Sequence, residues 1–124
     1  MNKQEIFDIV VAHLRQQNAK SILAKPITNV HGAESCAYRG PEGRKCAVGI
    51  LLSDAEYSDT MEGQNAAQLD KWSCVLPETK KLLQDHKYLL VALQNVHDNY
   101  PVEKWEEQFH QVAIVYSLVL MPVK

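Results

Sequence analysis

A chain of 124 residues is long enough for one domain with a single core. Apolar residues make up 46% and charged residues 23%, as in ordinary globular proteins, and a net charge of -2 supplies no basic field for a nucleic-acid backbone. No apolar run approaches the ~20 residues that span a bilayer, and the polar start from Met1 to Glu5 lacks the apolar block of a secretory signal. The expectation is a cytoplasmic single domain over residues 1–124, with no membrane and no nucleic-acid partner. Three cysteines, an odd number, suit a reducing compartment better than a disulfide framework.

The first predicted element is a helix over residues 3–17. Phe7, Val10, Val11 and Leu14 recur at three and four, and Ile6 and Ile9 widen that face. Asn2 and Glu5 have capping-box spacing, and Asn18 suits a left-handed C-terminal cap. The stretch from Ser21 to Ala24 reads as a short strand or a helical turn, and Pro26 stops a regular helix there. His31 to Ser35 has loop composition.

A β-hairpin is predicted next, with strands at 35–39 and 45–52 around the turn Gly40-Pro-Glu-Gly43. An odd loop centred on Pro41 sets Cys36 opposite Cys46, whereas an even loop offsets them to opposite faces. The apolar run from Cys46 to Leu52 reads as a strand covered on both faces. Gly49 inside it signals a bulge or a close backbone approach. Ser53 and Glu56 repeat the capping-box spacing. The span 57–63 reads as an ordered loop, and 64–72 as a short helix burying Ala67 and Trp72.

Pro77 suits the first turn of a helix whose apolar stripe is Leu82, His86, Leu89, Leu90, Leu93 and Val96 or His97. That helix ends near Asn99. Pro101 opens the last one, with Trp105, Phe109, Val112, Ala113 and Tyr116 on its inner face and Pro122 at its end. The predicted fold class is α+β: mostly helical, with a small antiparallel hairpin or sheet.

The hairpin residues Cys36, Tyr38, Arg39, Gly40, Pro41, Gly43, Lys45, Cys46, Ala47 and Gly49 stand beside Tyr57, Met61-Glu62-Gly63, Leu93-Gln94, His97-Asp98 and Trp105. In this pattern the chain resembles a family of small uncharacterised proteins of bacteriophage and bacterial genomes, over most of residues 1–115. The resemblance implies a phage-type accessory protein that engages a host protein or a signalling molecule. It implies no catalytic residue.

Arg39, Arg44 and Lys45 form a local cationic cluster beside Tyr38. Guanidinium forks and turn amides suit a phosphate or carboxylate, and a neighbouring ring can stack on a base. The competing reading pairs these cations with Asp54, Glu56, Asp59 or Glu62 and makes them structural. His97 beside Asp98 has the makings of a general base, but it also lies on the apolar stripe. Cys36 and Cys46, with His31, His97 or Cys74, have the ligand types of a zinc site. No close Cys pair accompanies them, and buried thiols are the commoner outcome.

No Walker loop, GxSxG, HExxH or dinucleotide fingerprint is present. The leading expectation is therefore an accessory binding protein, leaning away from enzyme, with no cofactor and no committed metal or catalytic residue. It engages a host protein or sequesters a small nucleotide-like anion through Tyr38, Arg39, Arg44, Lys45 and His97. One alternative is a phosphate- or nucleotide-acting enzyme with His97 as base and Arg39 or Lys45 on the anion. Another is a zinc-stabilised domain. The segment 114–123 is apolar on nearly all sides, which points to deep burial or to a homodimer contact.

Overall fold

The computed structural model describes residues 1–22, 37–58, 62 and 75–123. The expectations for residues 23–36, for 63–74, and for Asp59 and Met61 lie outside the described residues. They include Cys36, Cys74, His31 and the short helix at 64–72.

Helix α1 runs Lys3–Gln17. Its capping box forms as its spacing predicts: the Asn2 side chain accepts from the Glu5 amide at 2.8 Å, and the Glu5 carboxylate accepts from the Asn2 amide at 3.0 Å. Asn18 closes the helix at φ 48°, a left-handed position that asparagine tolerates. Ile6, Phe7, Val10, Val11 and Leu14 are buried. Ile9 is not: at 41% exposed it sits beyond the edge of the buried stripe.

The single helix expected from Pro77 breaks in two at His86. Helix α2 runs Pro77–Asp85 and α3 runs Lys87–Asn99. His86 leaves helical geometry at φ -120°, ψ 24°, and its Nε2 donates to the Met1 carbonyl at 3.0 Å. A short 3-10 turn, Val102–Lys104, leads into α4, Trp105–Tyr116. Ser117, at φ 56°, ends α4 well before Pro122. Helix α3 packs against α1, α2 and α4, and Phe7, Leu14, Leu89, Leu93, Trp105 and Phe109 form the centre of the core.

The α+β expectation is overturned. The protein is mostly helical, and among the described residues there is no sheet. The hairpin contracts to one antiparallel bridge, Arg39 with Lys45. Its centre is Glu42, not Pro41, so Tyr38 falls opposite Cys46. Pro41–Gly43 form a tight turn with Glu42 and Gly43 both at positive φ (63° and 71°), which glycine adopts freely and glutamate only at a cost. The run expected as the second strand instead coils: Gly49–Leu51 make a 3-10 turn, and Cys46, Ala47 and Val48 are fully buried beneath it. Gly49 does make the close approach its position suggested, since a Cβ there would lie 2.2 Å from the Tyr38 carbonyl oxygen.

The physical reason for the missing sheet lies in side chains. Main-chain groups that a neighbouring strand would pair are paired by carboxamides and carboxylates instead. Gln17 of α1 donates to the Lys45 carbonyl at 2.9 Å and accepts from the Lys45 amide at 2.8 Å. Glu62 accepts from the Tyr38 and Arg39 amides at 2.8 and 3.1 Å. Gln94 of α3 accepts from the Val48 amide at 3.1 Å. Gln4 of α1 donates to the Val119 carbonyl and accepts from the Val119 amide, both at 2.9 Å. Backbone groups need partners, and here side chains of α1, α3 and the turn residue Glu62 supply them.

Candidate functional site

The five residues expected at an anion site divide into committed and exposed groups. Tyr38 is buried at 6% exposure, and that burial pushes its hydroxyl far above the ordinary tyrosine value. The Arg39 guanidinium donates to Asp54 and, at 2.7 Å, to the Leu52 carbonyl. It lies 5.3 Å from the centre of the Tyr57 ring, and the Tyr57 hydroxyl donates to Glu62 at 2.7 Å. The Arg39 bond holds the Asp54 carboxyl below its usual range. Arg39 thus ties the bridge to the turn that follows it, as the structural alternative anticipated for Asp54.

Arg44 stays at the surface, with Nη2 3.1 Å from the Glu42 carboxylate. It borders a polar recess of about 300 Å³ shared with His13, Gln16, Gln17, Glu42 and Gly43. Lys45 is half-buried, and its main chain is held by one face of α1: His13 Nε2 donates to its carbonyl at 2.9 Å, as does Gln17 one turn on. Burial, foremost, pulls the His13 imidazole below its ordinary value, although the bond to Lys45 works the other way.

His97 is completely buried. Its Nε2 accepts from the Ser21 amide at 2.9 Å, which fixes the proton on Nδ1, and Nδ1 donates to Asp98 at 2.8 Å. Trp105 covers the ring at 5.7 Å between centres. Asp98 also accepts from Gln94 at 2.7 Å. The result is a chain of bonds from Val48 through Gln94, the half-buried Asp98 and His97 to Ser21, whose hydroxyl donates to the Arg44 carbonyl at 3.2 Å. Both imidazole nitrogens are occupied, so the lone pair a general base needs is already engaged by a backbone amide. Cys46 borders this chain, and burial pushes its thiol far above the ordinary value, which keeps it unreactive. Among the described residues no group of three or more His, Cys, Asp or Glu is placed to hold a metal ion.

A different surface has the properties of a contact site. Past Ser117 the chain turns back along α1. Leu118 and Leu120 pack on the core, whereas Val119, Met121 and Val123 face outward. Together with α1 this tail walls an apolar trough of about 520 Å³. Phe7, Asp8, Val11, Ala12 and Arg15 of α1 line it. Glu106 of α4 receives bonds from Arg15 Nε and Nη2 at 2.9 and 2.6 Å, and that bond above all raises the guanidinium's hold on its proton. The apolar character of 114–123 signals this face in the sequence. The pairing of the tail with α1 does not follow from it, because nothing in the spacing links Gln4 to Val119.

No family model, curated protein or solved structure matches the chain. Among the described residues no helix is long and apolar enough to cross a membrane.

Proposed function

We propose that this protein is a binding module whose working surface is the apolar face formed by the end of α4 and the tail. One observation carries this reading: Ile114, Val115, Val119, Met121 and Val123 are each 60–73% exposed. Five exposed apolar side chains within ten residues of sequence are more than a scattering of single surface hydrophobes, and such concentrations mark protein contacts. The partner is a protein surface with apolar character of its own. Sequestration of a small anion has less support, since Arg39 is engaged by Asp54 and Leu52, Tyr38 is buried, and Glu42 shares the recess beside Arg44. Catalysis through His97 has less still, with both ring nitrogens bonded.

A photo-crosslinking residue at position 115 or 121 tests the reading in cell extract. The expected result is a discrete protein adduct, absent when the probe replaces exposed Tyr88 on α3 and lost when Val119 is changed to Glu. Equal labelling from position 88, or no discrete adduct from either tail position, overturns it.

A further inference from the structure

The sequence carries neither glycine nor proline from Trp105 to Met121, yet α4 stops at Tyr116. It stops because Ser117, at φ 56° and ψ 46°, lies in the left-handed region. The Ser117 amide donates to the Ile114 carbonyl at 3.3 Å, and the Leu118 amide donates to the Ala113 carbonyl at 2.8 Å. These are the reversed bonds of a Schellman helix end, a motif in which glycine usually takes the left-handed position. Serine is held there at a cost that glycine does not bear. The tail beyond it is lightly fastened. Among the described residues, Val119 is the one residue of 119–123 whose main chain is hydrogen-bonded, and both of its bonds go to the Gln4 carboxamide. Leu118 and Leu120 are partly buried, whereas Val119, Met121, Pro122 and Val123 are exposed.

From this we infer that the tail is a strap with two forms. In the docked form it lies along α1. In the second form Ser117 takes right-handed geometry and α4 continues to Leu120, with Pro122 biasing Met121 out of the helix. Helical period and docked contacts thus favour different structures for the same four residues, which is the condition for a switch. The Leu120 amide, unbonded in the docked form among the described residues, gains the Tyr116 carbonyl in the helix. The docked form is the major one, because Leu118 and Leu120 lose their cover in the other. The continued helix sets Leu118 one turn from Ile114 and Val119 one turn from Val115. It also frees the Gln4 carboxamide and opens the trough along Phe7 and Val11. The contact surface assigned above therefore has two shapes, and a partner that prefers one shifts the balance. Only this consequence rests on that assignment, since the two forms belong to the chain alone.

Relaxation-dispersion NMR on the full chain reads the minor form through the Cα chemical shifts of residues 117–120. The expected shifts are helical. Ser117→Ala favours helix and fits the left-handed region poorly, so it raises the minor population. Ser117→Gly does the reverse on both counts and lowers it, and the two variants differ at least about tenfold. Gln4→Ala removes both fastenings of Val119 and raises the population as well. Ser117 is exposed and Gln4 is half-buried, so all three variants fold, which circular dichroism checks. Exchange toward random-coil shifts overturns the inference, because it shows a tail that only frays. So does an absence of exchange in the wild type, Ser117→Ala and Gln4→Ala together, and so do equal populations in Ser117→Ala and Ser117→Gly. None of these results bears on the crosslinking test at positions 115 and 121, which decides the contact reading by itself.

Discussion

His97 shows how one residue type supports two opposite readings until its neighbours are known. A histidine beside an acid is the sequence pattern of a proton shuttle. Here the imidazole lies in the core, and its two nitrogens join Ser21 to the half-buried Asp98. Its work is to satisfy a buried amide and to orient a carboxylate that also serves Gln94. His97→Phe keeps an aromatic ring, slightly larger than the imidazole, but strands the Ser21 amide and one Asp98 bond. The expected loss is about 2–4 kcal/mol, measured as a lower denaturant midpoint with an unchanged slope. An unchanged midpoint would show that the bonds are dispensable.

Elements were legible where they are long and periodic. The capping box at Asn2, the left-handed Asn18 and the buried faces of α1 and α4 all follow from spacing, because helical period and end chemistry are local properties. The hairpin was not legible. Its strand character rested on apolar composition at 46–52, and composition does not distinguish a buried strand from a buried turn. What decides between them is distant: Gln17, Gln94 and Glu62 reach the backbone at 38–48 from other parts of the fold. At the expected anion site, Asp54 and the Leu52 carbonyl accept from Arg39, the pairing that the competing reading offered for Asp54. Gln17→Ala tests the idea at the level of the element. Removing the carboxamide from both the amide and the carbonyl of Lys45 is expected to cost about 1–2 kcal/mol. Amide exchange should accelerate at Lys45 and its neighbours while α3 and α4 stay protected. Gln17→Glu sets a carboxylate oxygen against the Lys45 and Ala19 carbonyls, both now partners of the amide nitrogen, and should cost at least as much.

Acid stability of the whole molecule depends on a carboxylate that links separate elements. Glu56 is buried at 3% exposure. Its oxygens accept from the Ser53 amide and hydroxyl at 3.2 and 2.9 Å and from the Leu76 amide at 2.9 Å, just ahead of α2. Burial acts to raise its proton affinity, but the bonds from Leu76, Thr79 and Ser53 together outweigh it and hold the carboxyl below its ordinary value. The unfolded chain therefore binds this proton more readily than the folded one. The stabilisation is complete above the unfolded value near ~4.3 and disappears as pH falls through the lower folded value. Glu56→Gln is expected to be about 1–3 kcal/mol less stable at pH 7 and to show a flatter loss of stability below about pH 4.5. Urea titrations of both proteins from pH 7 to pH 3 measure the difference, and parallel curves would remove Glu56 from this role.

The grip of Glu62 on two successive amides also bears on aggregation. A strand edge leaves main-chain donors that another chain could pair with, and such edges seed fibrils. On this ribbon the donors at 38 and 39 are already taken by a carboxylate that also accepts from Tyr57, so an incoming strand must first break those bonds. The ribbon is sealed against growth along that side, and an apolar stretch that would otherwise be a polymerisation hazard stays confined to its own molecule.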